Sequence, residues 1–557
     1  MTQSPDISWP FPADIAEHHA HALLFSSPNG ARYLYDSPTS SIHPWPWTIK
    51  AKQLDDVYAA SQESLPPLLE QLGAPPELAD YIQLWRTSAG AFAQEGLLQR
   101  DCATCAPQQR IYPFTDAHPL HIPAESTSDD VLLVPRAKEK KPPPLLFNLP
   151  SLFGNLMLVV TDSCNLRCKY CMLGGGYEGF KPLRGKHMNW DTAKKAVDHF
   201  IALNDGPTFQ SMHDRKINIA FFGGEPLLRG ELIKQVVCYA KKLEKPGCGY
   251  WIDFSMTSNL TGLTPEMARF LIEHEVGLQV SIDGPKTEHD KYRVGPEGQG
   301  SFDLMMQHLK MLYELDENYF KQRVRCVVTL NGNSNLTKIK KFFESGAPHI
   351  PRIAFLGMVR DMETSTFHKA FPFDPKRLSK QYFELLKEYL KRKKSKAPVQ
   401  KGEFLYHLFE EPLENIYKRV MTSGMLERTH YTGSCQPGRR FAVSTDGKFH
   451  ICERINEEFP LGDVEKGIDW DQCRSVMARY YHALPDCDHC WARALCTSCV
   501  AHNCEKNGFD FEHRCNHIRI ELAHKLRTLC ALLEEVPDAF KTGDPLIDRH
   551  AMINEPS

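Results

Sequence analysis

Eight residues constrain this chain more than any others: Cys164-Asn-Leu-Arg-Cys168-Lys-Tyr-Cys171, a C-x3-C-x2-C loop directly after the apolar run Leu156–Val160. Three thiolates on one short loop can take three corners of a cubane iron–sulfur cluster, leaving the fourth iron open to a small molecule. A structural zinc site is closed by a fourth ligand, and three core cysteines are the blander alternative. The rest of the cysteine pattern favours metal. Of 18 cysteines, ten lie between Cys435 and Cys530, and five are scattered: Cys102, Cys105, Cys238, Cys248 and Cys326. The N-terminus lacks a basic start followed by an apolar run, and Pro142 to Thr161 is too interrupted by prolines to span a membrane. A cytoplasmic location with reduced thiols is therefore expected. Lys+Arg is 66 against Asp+Glu 69, which gives no electrostatic case for nucleic acid, and no membrane partner is expected.

The 557 residues suggest three or four domains. Residues 1–110 read as a small module: Leu23–Phe25 and Arg32–Tyr35 flank a Ser-Pro-Asn-Gly turn as a β-hairpin, and helical stretches follow at 54–61, 66–72 and 75–92. Residues 111–145 form a linker ending in Pro142-Pro143-Pro144. Over 146–372, six strand-like runs (Leu156–Val160, Ile217–Phe222, Trp251–Met256, Leu278–Ile282, Val324–Leu330, Ile353–Met358) alternate with helical patterns. Between the first two, Ala193, Ala196, Val197, Phe200 and Ile201 share one helix face. Such βα units imply an α/β fold with a parallel sheet, curled into a partial (β/α)6 barrel or doubly wound. Residues 373–430 read as a helical bridge whose basic stretch Lys387–Lys401 is a solvated face, 431–530 as a cysteine-rich domain and 531–557 as a tail.

Further motifs follow the strands in order. Gly223-Gly224-Glu225-Pro226 follows the second, Thr257-Ser258-Asn259 the third and Ser281-Ile-Asp283-Gly-Pro the fourth, with Arg293 twelve residues after Ser281. Glycines admit close backbone approach, a carboxylate pairs with an ammonium, and an arginine fork suits a carboxylate. With the C-x3-C-x2-C loop, these motifs resemble the radical S-adenosylmethionine (SAM) superfamily. The resemblance implies a [4Fe–4S] cluster on Cys164, Cys168 and Cys171, with SAM bound at its open iron. It places Gly223, Gly224, Glu225 and Pro226 at the SAM amino group, Ser281 and Asp283 near the ribose, Arg293 at the carboxylate, and Tyr170, Ser258 and Asn259 near the adenosine. Thr-Ser-Asn departs from the family's usual Thr-Asn-Gly.

The C-terminal spacing, Cys435, Cys452, Cys487-x2-Cys490-x5-Cys496-x2-Cys499, Cys504 and Cys515, resembles the SPASM extension of these enzymes. That resemblance implies two auxiliary clusters, three [4Fe–4S] clusters in all. Cys487, Cys490, Cys496 and Cys515 would hold one. Cys435, Cys452 and Cys499, with Cys504 as substitute or fourth ligand, would hold the other, leaving an iron open to a substrate thiol. A pair of zinc sites is the competing reading, since C-x2-C pairs are common zinc knuckles. Glu453 matches the aspartate that sulfatase-maturing relatives use as a proton acceptor, with a structural ion pair as the alternative. The N-terminal module resembles the winged-helix-like, peptide-binding element of maturases of ribosomally made peptides. The implied function is modification of a precursor peptide carrying a leader, most simply by a thioether or carbon–carbon cross-link, with an electron donor such as flavodoxin or ferredoxin. A maturase of a folded enzyme, by formylglycine formation or subunit cross-linking, and a non-catalytic zinc or iron–sulfur scaffold are the alternatives.

Overall fold

A computed structural model describes residues 153–173, 184–205, 215–244, 248–359, 366–419, 440–455, 457–484, 487, 490–505, 508–509 and 511–541, together with four N-terminal strands between 16 and 44 and residues 67, 68 and 71. The N-terminal strands are β1 (Ala16–His18), β2 (Ala22–Ser26), β3 (Arg32–Asp36) and β4 (Ser41–Pro44), an antiparallel meander in sequence order. The expected hairpin is β2–β3, in register Leu23↔Tyr35 and Phe25↔Tyr33. The helices expected between residues 54 and 92 fall almost wholly outside the described residues, as do Cys102 and Cys105.

The central sheet contains the six expected strands: β5 (Asn155–Thr161), β6 (Arg215–Gly223), β7 (Tyr250–Ser258), β8 (Gly277–Ser281), β9 (Val324–Leu330) and β10 (Ile353–Met358). Each is hydrogen-bonded in parallel to the next. A doubly wound sheet reverses its strand order at a switch point. This order runs unreversed from β5 to β10, and β5 and β10 do not pair with each other, which makes the sheet an open, partial barrel. Helix α1 (Trp190–Asn204) covers β5 and is capped by Asn189, whose side chain accepts from the Thr192 amide at 2.8 Å. Its buried face includes Ala193, Ala196, Val197, Phe200 and Ile201, as the periodicity predicts. Helices α2 (Gly230–Leu243), α3 (Pro265–Glu273), α4 (Phe302–Leu315) and α5 (Leu336–Phe343) follow between the strands.

Strand alternation divides the sheet's chemistry. Leu156, Leu158, Ile217, Ile219, Phe254 and Val280 point outward and are buried. The intervening Asn155, Asn218, Ser255, Thr257, Gln279 and Thr329 line an interior cavity. Period-two geometry produces this two-faced wall.

The sheet does not end at β5. Strand β11 (Arg440–Val443) pairs with β5 in parallel, and β12 (Phe449–His450) folds back antiparallel on β11. The cysteine-rich region is thus anchored in the barrel sheet, a continuity that cysteine spacing does not reveal. Helix α6 (Pro375–Lys394) and α7 (Glu411–Tyr417) form the bridge, separated by one π-helical turn, Tyr406–Glu410. The basic stretch is not simply solvated. Lys393 pairs with Glu410 at 2.9 Å and lies over the Phe540 ring, and Lys394 pairs with Glu535, so the stretch fastens the C-terminal end to the bridge. Helix α8 (Trp470–Ala483) precedes the cysteine pairs, and α9 (Glu512–Glu535) continues past residue 530. The N-terminal sheet rests on this part of the chain: Tyr33 donates to Glu534 at 2.6 Å, and Tyr35 meets Trp491 edge-on. Among the described residues, no helix is long and apolar enough to cross a membrane.

Candidate active site

The site lies at the C-terminal ends of the strands, where (β/α) barrels place their chemistry. Residues 162–173 leave β5 as the cysteine loop. Its backbone is clamped beside the segment carrying Arg293: the Arg167 amide donates to Val294 O (2.6 Å) and the Lys169 amide to Tyr292 O (2.9 Å). Burial pushes the Cys164 thiol up to about 11 and the Cys168 thiol up to about 12, and each thiol feels the charge of Cys171. Metal binding at such thiols must displace their protons. Cys164 Sγ accepts from the Leu166 amide at 3.4 Å and the Asn259 side chain at 3.8 Å. Among the described residues, no three His, Cys, Asp or Glu side chains converge as the ligands of a single ion do. A cubane, with one thiolate per iron corner, does not require that convergence.

Gly223 and Gly224 permit the closest approach in the site. A Cβ on Gly223 would stand 2.2 Å from Thr161 O, and one on Gly224 would stand 2.2 Å from Ser163 O. Both contacts are with backbone, so the space cannot be made by moving a side chain. The Gly224 amide donates to Thr161 O and the Glu225 amide to Ser163 O, both at 2.9 Å, which seats the motif against the root of the cysteine loop.

Glu225 is 1% exposed. Its Oε1 accepts from Ser258 Oγ at 2.7 Å and the Leu227 amide at 3.1 Å, and Oε2 accepts from the Asn259 amide at 2.8 Å. A carboxylate has about four acceptor positions, so one on Oε2 remains for a cation. Burial raises the Glu225 pKa, and the three hydrogen bonds offset part of that rise. The departure from Thr-Asn-Gly therefore has a local role: Ser258 and Asn259 hold this carboxylate.

Arg293 and Asp283 form a buried bidentate pair, Nε to Oδ2 at 2.8 Å and Nη2 to Oδ1 at 3.2 Å. Burial alone would lower the Arg293 pKa, but Asp283 more than reverses this and keeps it well above the usual value. Tyr170 donates its hydroxyl to the same Asp283 Oδ2. Its ring packs with Tyr292 and Phe367 and lies under the Arg293 guanidinium, 5.4 Å away.

One cavity of about 810 Å³ collects these groups. Cys164, Cys168, Cys171, Tyr170 and Arg293 line it, with Gly223, Gly224, Glu225, Ser258, Asn259 and Ser281. Pro226 and Asp283 do not. Pro226 is buried at the start of a 3-10 turn, and Asp283 stands behind Arg293. Glu453 reaches the same cavity from the cysteine-rich region, 4% exposed, between Arg440 (3.3 Å) and Arg454 (3.4 Å). Alternating polar residues within otherwise apolar strands, such as Asn218 and Gln279, were the sequence signal for this open interior.

Of the other cysteines, Cys487, Cys490 and Cys496 gather around Cys515, whose thiol burial first and these neighbours next push up to about 12. Cys496 and Cys499 both act on Tyr480, while Cys452 and Cys504 are buried. Cys435 lies outside the described residues. The three thiols beside the open cavity are a donor set suited to iron–sulfur ligation.

Comparison with known proteins agrees with this geometry. Residues 158–332 match the Radical SAM superfamily. The chain is 24% identical over 367 residues to a cysteine-type anaerobic sulfatase-maturating enzyme of Clostridium novyi, covering 63% of this chain and 88% of that protein. It is 28% identical over 174 residues to the radical SAM cyclopropyl synthase TigE of Paramaledivibacter caminithermalis, covering 29% and 33%. A solved structure described as native anSMEcpe with bound AdoMet superposes with a TM-score of 0.51 at 17% identity, over 70% of this chain and 100% of that one, a likeness of fold. Residues 158–332 thus carry a radical SAM domain, and these matches favour an enzyme over a non-catalytic scaffold.

Proposed function

We propose that this enzyme binds a [4Fe–4S] cluster through Cys164, Cys168 and Cys171, binds SAM beside it, and oxidatively modifies a polypeptide side chain. When bound, such a cluster supplies the electron for reductive cleavage of SAM to methionine and a 5′-deoxyadenosyl radical, which abstracts a substrate hydrogen. The chain's own groups orient the participants. The open position of Glu225 takes the SAM ammonium, Arg293 takes its carboxylate, Ser281 takes the ribose, and Tyr170 with Ser258 and Asn259 borders the adenosine. Cys487, Cys490, Cys496 and Cys515 hold one auxiliary cluster. Cys435, Cys452 and Cys499 or Cys504 hold another, giving an outlet for the second electron of an oxidation. The enzyme acts in the cytoplasm with a flavodoxin- or ferredoxin-like donor.

The observation that carries this reading is the shared cavity, which joins the three-cysteine loop to a buried carboxylate from a different region of the chain. To Glu453, which lines this cavity, we assign the role of accepting a proton from the substrate. We read the substrate as a leader-bearing precursor peptide that acquires a thioether or carbon–carbon cross-link, with the N-terminal sheet offering an edge for the leader. A second reading, conversion of a cysteine or serine to formylglycine in a folded enzyme, is favoured by the match across 88% of the Clostridium novyi protein.

The test is anaerobic incubation with a candidate peptide, read by mass spectrometry. Loss of two hydrogens with a new internal bond supports the cross-link, whereas replacement of a cysteine thiol by an aldehyde supports the maturase. In Glu453→Gln, modification should fall by about 10²–10⁴-fold while SAM cleavage persists. Loss of thermal stability with unchanged modification would assign Glu453 to a structural ion pair.

A further inference from the structure

Asp283 spends its whole acceptor capacity on protein. Oδ2 takes the Tyr170 hydroxyl and Arg293 Nε–H (2.8 Å), while Oδ1 takes Arg293 Nη2–H (3.2 Å) and the Thr329 amide (3.0 Å). These are four donors on a group with about four acceptor positions, so none remains for a ribose hydroxyl. The Asp283 side chain is 5% exposed and that of Arg293 is 9% exposed.

A guanidinium has two edges able to make paired hydrogen bonds: the side edge, Nε with one Nη, and the end edge, Nη1 with Nη2. Asp283 occupies the side edge, so the end edge is the one left toward the cavity that Arg293 lines. The residue's other freedoms are also removed. Ser301 Oγ donates to Arg293 O at 2.8 Å, the two neighbouring carbonyls bond the cysteine loop, and the guanidinium lies over the Tyr170 ring. Asp283 itself is held from behind, its amide donating to His289 Nδ1 at 3.4 Å.

We infer that Asp283 is a positioning residue: it turns the end edge of Arg293 toward the SAM carboxylate and, through Tyr170, fixes that edge relative to the cysteine loop. The inference rests on the proposed contact between Arg293 and the SAM carboxylate. It differs from simple charge supply, because an Arg293 released from Asp283 would be a freer and less neutralised cation. Positioning predicts weaker carboxylate recognition on release, whereas charge supply predicts stronger recognition.

The experiment measures binding, without turnover, of SAM and decarboxylated SAM to the anaerobically reconstituted full-length enzyme. The ratio of the two dissociation constants reports what the carboxylate contributes. In the unmodified enzyme the ratio should be about tenfold or more, the range of a charge-assisted hydrogen bond. In Asp283→Asn, at unchanged iron content, it should fall toward one, and adding Arg293→Lys should lower it no further. Should the Asn variant lose iron, Asp283→Glu keeps the charge on a longer arm and should show the same fall. A ratio that stays the same or grows in either variant overturns the positioning role while leaving the Arg293 contact standing. A ratio near one in the unmodified enzyme overturns that contact and the inference with it.

Discussion

Ser258 donates its hydroxyl hydrogen to Glu225 across 2.7 Å, joining the end of the third barrel strand to the motif that ends the second. The bond leaves one acceptor position of a buried carboxylate toward the cavity. Ser258→Ala removes a hydrogen bond to a charged group, worth about 2 kcal/mol. SAM affinity should drop by about tenfold or more in equilibrium binding. Because burial already raises Glu225 and Ser258 opposes that rise, the variant should also lose SAM binding at a higher pH than the unmodified enzyme as pH falls. Unchanged affinity across pH would remove Glu225 from the SAM ammonium.

The seating of the cysteine loop depends on backbone contact at Gly224. In Gly224→Ala the new methyl would meet the Ser163 carbonyl, so the motif or the loop must shift. Overpacking of this kind costs about 1–3 kcal/mol. The variant should melt several degrees lower and, after reconstitution, carry less iron on the three-cysteine site. Gly185→Ala has open space around its Cβ, although its backbone is left-handed, and should retain full iron. Equal iron loss in both would point to general fragility.

How much of this was legible in advance follows from which forces are local. Strand alternation and the stripe from Ala193 to Ile201 are periodic, so all six barrel strands and their approximate limits were readable. Motif order placed Gly223, Ser258 and Arg293 near one another because consecutive parallel strands end on one side. The partners of Asp283 were not legible, because Tyr170 and Thr329 lie 113 and 46 residues away and sequence gives no sign that Arg293 would occupy its carboxylate. The pairing of β11 with β5 was likewise hidden. A four-residue strand carries little periodicity, and its partner lies nearly 300 residues upstream.

Acid sensitivity should reside partly in His289. Burial lowers it from 6.5 to about 4, and its neutral ring accepts the Asp283 amide at Nδ1 while Nε2 faces Ser301 Oγ at 3.0 Å. Below pH 6.5 the unfolded chain takes up a proton that the folded chain refuses, so stability present above 6.5 is lost as pH falls toward 4. The slope approaches about 1.4 kcal/mol per pH unit within that window. His524, lowered by burial to about 3, acts in the same direction. Chemical denaturation of His289→Gln between pH 7 and 4 should give a shallower decline than the unmodified protein. An unchanged slope would mean that His289 is not a source of it.

The central claim is that Cys164, Cys168 and Cys171 build a centre that cleaves SAM. Its most direct test is 5′-deoxyadenosine measured by mass spectrometry after anaerobic reconstitution, reduction and addition of SAM, in the unmodified enzyme and in Cys168→Ala. The account predicts 5′-deoxyadenosine from the unmodified enzyme and none above background from Cys168→Ala, whose iron should fall by about one cluster. No 5′-deoxyadenosine from an iron-replete enzyme, or equal amounts from both proteins, would contradict it.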